Sequence, residues 1–167
     1  MAVEEQLADN TAQSLSVSNF QRAGQRLTIS NRIVSKLAFN LKKSLSPSGN
    51  VTFTIRKVSN DSVIASKVWG DASSLPTTTD WQEVTFDSPV LVNEEVRISC
   101  EYEGATLVSI RIQGSDVKSN EVETYHNEGS WVDDANKDMA YKYTYEVYAP
   151  PVASGGGPAG LVAAGII

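Results

Sequence analysis

The side chains best suited to chemistry lie in one polar stretch, YHNEGSWVDDANKD, at residues 125–138. Aromatic rings there can stack on the face of a sugar, while imidazole, amide and carboxylate groups form hydrogen bonds that orient it. We therefore predict a shallow ligand-binding site formed by Tyr125, His126, Asn127, Trp131 and Asp133. The alternative is structural: Trp131 covers the end of a sheet, and Asn-Glu-Gly forms a hairpin turn.

The same stretch contains three oxygen-bearing residues at alternating positions, Asp134, Asn136 and Asp138. This spacing is typical of the first ligands of a calcium loop. The glycine that such a loop needs is missing, and its distal glutamate has no clear counterpart. A solvated acidic turn explains the same residues, so we expect no cofactor, with calcium at these three positions as the alternative.

Groups for catalysis are scarce in this chain. His126 is the sole histidine, and the sequence has no nucleophile elbow, phosphate loop or metalloprotease helix motif. A pair of carboxylates that meet only in space leaves no sequence pattern, so a glycosidase stays open as an alternative. We predict that the protein is not an enzyme.

Length and charge restrict the class of protein. The chain has 167 residues, which suits one domain of ordinary size. Its 20 acidic residues against 14 lysines and arginines give a net charge of -6, which argues against binding a phosphate backbone. Cys100 is the only cysteine, so no disulfide forms within the chain.

Alternating polar and apolar residues are the dominant pattern and predict half-buried β-strands. The clearest segments are residues 35–43, 50–58, 94–103 and 140–148, with weaker strands at 14–18, 25–30, 63–69, 82–86, 106–113 and 121–125. Turn-rich segments separate them, so we predict an all-β fold, an antiparallel β-sandwich of the jelly-roll type. The residues expected to be buried between its sheets are Phe39, Phe53, Ile55, Phe86, Val96 and Ile98.

The two ends of the chain differ from this pattern. We predict an N-terminal arm at residues 1–12, a sandwich domain at 13–149, and a Pro/Gly-rich C-terminal arm at 150–167. The N-terminal residues lack the pattern of a secretory signal, so we expect no export by the general route. No apolar run approaches the roughly 20 residues that a transmembrane helix needs. The apolar tip of the C-terminal arm is predicted to bind a partner through Leu161, Val162, Ile166 and Ile167.

Residues 13–148 resemble a family of galactose-binding-like β-sandwich domains, often called carbohydrate-binding modules, found in phage virion proteins and bacterial surface proteins. In that family a strand ending in lysine leads through a Ser-Pro-x-Gly turn to an alternating strand, then a Ser/Leu-rich loop, then a W-x-x-V-x-F segment before a proline. The matching residues are Lys42, Lys43, Pro47, Gly49, Val51, Phe53, Ile55, Leu75, Trp81, Val84, Phe86 and Pro89. These are turn and core positions, so the resemblance implies the fold rather than a ligand.

Two functions follow as expectations. The first is a virion structural protein, a component of a capsid, tail or fibre located at the virion surface, which binds other virion subunits through its C-terminal arm as a homo-oligomer. The second is a carbohydrate-binding module of a cell-surface or secreted protein, with a surface glycan as its partner. Neither involves nucleic acid or a membrane span.

Overall fold

The computed structural model describes residues 1–151, which form an all-β protein of eleven strands with a single turn of 3-10 helix at Ala72–Ser74. None of these residues lies in a helix that could span a bilayer. The strands are β1 (Ala2–Gln6), β2 (Thr11–Leu15), β3 (Arg22–Lys43), β4 (Asn50–Lys57), β5 (Val63–Asp71), β6 (Asp80–Tyr102), β7 (Val108–Gln113), β8 (Val122–Asn127), β9 (Ser130–Asp134), β10 (Asp138–Met139) and β11 (Tyr141–Val147).

Neighbouring strands are antiparallel throughout, as predicted, and the two longest, β3 and β6, pair along most of their length. The main order is β1-β11-β3-β6-β4-β5. The first part of β3 also pairs with β8, which pairs with β9, and its second part pairs with β11 and β7. β3 and β6 therefore connect two groups of strands, an arrangement consistent with a β-sandwich.

Each of these long strands was predicted as two separate ones, because the sequence is interrupted where the strand bends. The β3–β6 register shifts between Ile29 and Arg32 and again between Val34 and Lys36. Asn31 has a left-handed φ of 51°, and Pro89 lies in the part of β6 that the second shift leaves unpaired with β3. A proline is tolerated where the ladder is already interrupted. The turn-rich segment at residues 87–94, which separated the two predicted strands, is therefore part of β6.

The core lies where the inward faces of these strands meet. All six residues predicted to be buried have 5 % or less of their surface exposed. Phe39 of β3 packs edge-on against Phe53 of β4, with ring centroids 5.1 Å apart and ring planes at 87°. Such a contact is favourable because the positive edge of one ring meets the negative face of the other.

The predicted N-terminal arm is wrong, since residues 1–12 contribute two strands. β1 pairs with β11 through five consecutive residue pairs, and β2 pairs with β7. The buried Gln6 side chain donates a hydrogen bond to the carbonyl of Met139 at 3.3 Å. Most of β1 is exposed or half-exposed, so its sequence lacks a buried alternating face. Of the predicted C-terminal arm, residues 152–167 lie outside the described part of the chain.

Candidate functional site

The five predicted ligand-binding residues belong to a hairpin formed by β8 and β9. Its strands pair from Glu123 opposite Asp134 to Asn127 opposite Ser130. The two turn residues, Glu128 and Gly129, both have positive φ angles, 49° and 86°. A two-residue loop with this backbone matches the twist of the strands it joins. The polar stretch that suggested a loop is thus mostly strand.

The hairpin separates the two aromatic rings that were predicted to form one platform. His126 lies opposite Trp131, and their rings meet edge-on with centroids 5.4 Å apart. Successive residues of a strand point to opposite faces, so Tyr125 lies on the other face. There its ring packs against Phe20, at a centroid distance of 4.5 Å. Tyr125 therefore contributes to packing, and Trp131 is the predicted stacking residue that remains beside His126.

Trp131 is itself held by groups from two other strands or turns. The guanidinium carbon of Arg97 lies 5.1 Å from the centre of a Trp131 ring, a cation–π contact. The indole Nε1 donates a hydrogen bond of 2.8 Å to Oδ1 of Asp61, in the turn between β4 and β5. The ring is half-buried, so one part of it is still accessible to solvent. The orientation of Trp131 is fixed before any ligand arrives.

Around Trp131 lies a set of ion-paired side chains from the outer face of β3, β4 and β6, from the turn between β4 and β5, and from β9. We call it the outer charged layer. It has four positive and four negative groups, and every member is within 4.0 Å of an opposite charge. Its members are Arg22, Arg26, Arg56, Arg97, Asp61, Glu95, Glu101 and Asp133.

Asp133, one of the predicted ligand-binding residues, is the centre of one half of this layer. Its carboxylate accepts hydrogen bonds from Arg26 at 2.6 Å and from the hydroxyl of Thr124 at 2.7 Å, and Arg97 is 3.4 Å away. Burial opposes ionisation, but these hydrogen bonds and the arginine charges lower the pKa of Asp133 below its ordinary value. A carboxylate with three such partners binds the hairpin to the sheet and has little capacity left for a ligand.

Glu101 and Asp61 organise the other half of the layer. Arg56 donates to Glu101 at 2.8 Å, and Arg22 lies 3.5 Å from the same carboxylate. Both arginines also approach Asp61, at 3.7 and 3.8 Å. Burial lowers the pKa of Arg56, but its hydrogen bond and ion pair with Glu101 outweigh this and raise it. Trp131 joins the two halves, because it contacts Arg97 on one side and Asp61 on the other.

Three clefts border the layer. One, of about 410 Å³, is lined by Arg26, Glu95 and Asp133 of the layer itself, and the other two lie next to each other. The smaller, of about 250 Å³, is lined by His126 and Asn127 together with the loop at residues 17–21. The larger, of about 540 Å³, is lined by Glu101 and by residues 48–50 and 102–104. Between them the amide of Val17 donates a hydrogen bond of 2.9 Å to the carbonyl of Gly104. Of the predicted ligand-binding residues, His126 and Asn127 therefore line one cleft and Asp133 lines another.

His126 is suited to hydrogen bonding in this cleft. Burial and the positive charge of Arg22 lower the pKa of its imidazole below the ordinary value of 6.5. The ring is therefore neutral at physiological pH, with one nitrogen that donates and one that accepts.

The carboxylates of the predicted calcium ligands already have partners within the protein. Asp134 accepts a hydrogen bond from the amide of Asn136 at 3.0 Å and pairs with Lys137 at 2.8 Å, within a tight turn. Asp138 is fully buried and accepts hydrogen bonds from Gln25 at 2.6 Å and from the amides of residues 117 and 118. The two carboxylates thus serve different partners, and no group of three or more His, Cys, Asp or Glu side chains that could hold a metal ion occurs within residues 1–151.

The outer charged layer was not predicted from the sequence, although a signal for it exists. The polar positions of two clearly alternating strands are occupied by Arg56, Arg97 and Glu101. The alternation alone places these side chains on the exposed face of each strand. Opposite charges at such positions on neighbouring strands predict cross-strand pairs once the pairing is known. A comparison of the chain with protein-family models gives no match, and neither does one with curated proteins.

Proposed function

We propose that the protein is a structural subunit of a virion, in which the sandwich is a rigid body and the C-terminal arm binds neighbouring subunits. One observation carries the proposal: the paired strands end at Val147, yet the chain continues to an apolar tip at Leu161–Ile167. The last backbone hydrogen bond of the described residues is from the amide of Tyr148 to the carbonyl of Asn31, at 2.8 Å. No described strand depends on the residues that follow.

The chemistry of the tip supports a role in association. Its large side chains, Leu161, Val162, Ile166 and Ile167, each gain about 1.5 to 3 kcal/mol when fully buried against a partner. Several arms in a symmetric particle act together, so weak individual contacts suffice for a stable assembly. The resemblance to sandwich domains of phage virion proteins gives the kind of particle, and a location at the virion surface follows from it.

Deletion of residues 152–167 tests this proposal. The truncated protein is expected to melt within about 3 °C of the full chain, which is the shift that about 1 kcal/mol produces at this size. It is also expected to lose incorporation into the native particle, measured by co-assembly. A matched variant of full length, with serine in place of the four large residues of the tip, should behave in the same way.

Two results of this experiment contradict the proposal. If the truncated chain unfolds, residues 152–167 belong to its own core. If it melts normally and still enters the particle fully, the arm has no role in assembly.

A second candidate function, glycan binding by a cell-surface or secreted module, is favoured by the cleft beside His126. A neutral imidazole and the amide of Asn127 line that cleft, and the half-buried ring of Trp131 packs against the imidazole. Sugars are bound by this combination of an aromatic face and directional hydrogen bonds. The accessible part of Trp131 is small, because Arg97 and Asp61 already contact the ring.

Titration with a panel of soluble glycans, followed by calorimetry, tests this second function. If it holds, Asn127→Ala abolishes binding without unfolding the protein, because Asn127 is exposed at the hairpin turn. Asn93→Ala is a comparison variant: Asn93 is also exposed, but its side chain accepts a hydrogen bond from the amide of Asn31 instead. An equal loss of glycan binding in both variants contradicts glycan recognition at this cleft. So does a parent protein that binds no glycan.

A further inference from the structure

We infer that the free edge of β1 binds residues 161–167 of a second copy of the chain as an added β-strand. The inference rests on the proposed function, because it names the surface that the C-terminal arm would bind. Three features support it: the unbroken register of β1, the interrupted or occupied backbone of the other edge strands, and the position where the chain leaves the sandwich.

β1 offers an uninterrupted edge for strand addition. It pairs with β11 in a continuous register from Ala2 opposite Tyr145 to Gln6 opposite Tyr141, without a bulge. On its other side no strand of residues 1–151 follows. The outward backbone amides and carbonyls of such a strand are ready to pair with another extended segment.

Other edges of the fold are less suited to an added strand. β5 is interrupted by two register shifts against β4, and bulges of this kind twist an edge away from further pairing. In β2 the carbonyl of Ser14 already accepts a hydrogen bond of 3.1 Å from Asn19. In β9 the carbonyl of Asp134 accepts a hydrogen bond from the amide of Lys137.

β1 carries two charged residues. Glu4 is neutralised within its own subunit, by Lys118 at 2.8 Å and Arg32 at 3.3 Å, while Glu5 is exposed and has no ion pair within residues 1–151. N-terminal to these two residues, Val3 and Met1 are 54 % and 87 % exposed, which leaves apolar surface next to the free backbone groups. In an extended segment Leu161, Ala163, Gly165 and Ile167 share one face, so an apolar surface would meet these side chains.

The position where the chain leaves the sandwich favours a second copy as the acceptor. β11 ends at Val147, next to the Ala2 end of β1. A segment of the same chain that crossed directly to the free edge would run parallel to β1, in the less stable arrangement. A second copy can supply it antiparallel, and residues 152–160 span up to about 30 Å. In each copy the end of β11, from which the arm leaves, lies beside the β1 edge that would bind the partner's arm. Two copies can therefore exchange their C-terminal segments about a two-fold axis.

Disulfide trapping between two single variants of the full-length chain tests the inference. Val3→Cys is mixed with an affinity-tagged Ala163→Cys chain under mild oxidation, and disulfide-linked pairs of the two variants are measured by mass spectrometry. Val63→Cys replaces Val3→Cys in the control, since Val63 lies on the β5 edge and is 49 % exposed. The natural Cys100 is fully buried and stays out of the reaction.

The expected result is a yield of linked Val3→Cys and Ala163→Cys chains at least tenfold above that of the Val63→Cys control. Equal yields from both edges overturn the inference. So does a double variant, Val3→Cys with Ala163→Cys, that forms only links within one chain at all protein concentrations. If the arm is needed for assembly but β1 is not linked, the proposed function stands and this inference fails.

Discussion

Replacement of Glu123 by glutamine is expected to remove a pH-dependent loss of stability. Glu123 is fully buried, and neither oxygen of its carboxylate has a hydrogen-bond partner. The nearest cation, Lys137, is 4.0 Å away and already pairs with Asp134 at 2.8 Å. Burial raises the pKa of Glu123 from its ordinary 4.5 to about 7, a rise that Lys137 opposes and that Asp134 and Asp138 reinforce.

The sign of the effect follows from proton binding. The folded state holds the proton of Glu123 more tightly than the unfolded state, so stability falls as the pH rises from about 4.5 to about 7. At about 1.4 kcal/mol per unit of pKa, the loss is about 3 kcal/mol, and it is complete above pH 7. Glutamine carries no proton to lose, so Glu123→Gln should be more stable than the parent by a margin that grows across this window.

Urea unfolding at half-unit steps from pH 4 to pH 8.5 measures this margin. Glutamine leaves a buried amide, which adds a cost of its own, but that cost does not change with pH. The slope of the difference between the two proteins is therefore the quantity that matters. Glu5→Gln, on an exposed residue of β1, is the control. If the difference in the free energy of unfolding between Glu123→Gln and the parent does not change with pH, the reasoning is refuted. Glu123 would then have the same pKa in the folded and the unfolded state.

Three further results are expected. Phe53→Ala should lower the free energy of unfolding by about 3 to 5 kcal/mol in urea, because Phe53 is fully buried against Phe39; a loss below about 1 kcal/mol would contradict its place in the core. Chelator should leave the melting temperature unchanged, because Lys137 and Gln25 already occupy the carboxylates of Asp134 and Asp138; a drop restored by calcium would overturn this. Asp133→Asn should cost about 2 kcal/mol in urea at low salt, since the buried Arg97 loses its ion pair and Arg26 keeps only Glu95; an unchanged midpoint would show that the hairpin does not need these pairs.

The strands and the core could be predicted because their signal is local. In β4, Val51, Phe53 and Ile55 alternate with polar residues, and all three are fully buried. The strand at β1 was missed for the opposite reason. Of its five residues only Gln6 is buried, and the partner that makes it a strand, β11, lies at the other end of the chain. An edge strand formed by such distant pairing has no local apolar face to reveal it.

The β8–β9 hairpin shows that a functional site, too, is hard to predict from local sequence alone. Residues 125–138 are polar enough to suggest an exposed loop, but the charges that stabilise them come from far along the chain. Arg26 and Arg97 bind Asp133, and Asp61 binds Trp131. The sequence supplied the right residue types in the right segment, while their partners, and hence their roles, depend on the pairing of β3, β6 and β8.

This dependence decides how Trp131 has to be tested. A change of Trp131 removes a possible ligand contact, but it also removes the hydrogen bond to Asp61 and the contact with Arg97. Loss of glycan binding in Trp131→Ala alone would therefore not separate recognition from the stability of the outer charged layer. Asn127 is exposed at the turn and lines the cleft beside His126, so its removal changes that cleft without touching an ion pair of the layer. A binding defect in Asn127→Ala with an unchanged melting temperature is thus the evidence that would identify the cleft as a ligand site.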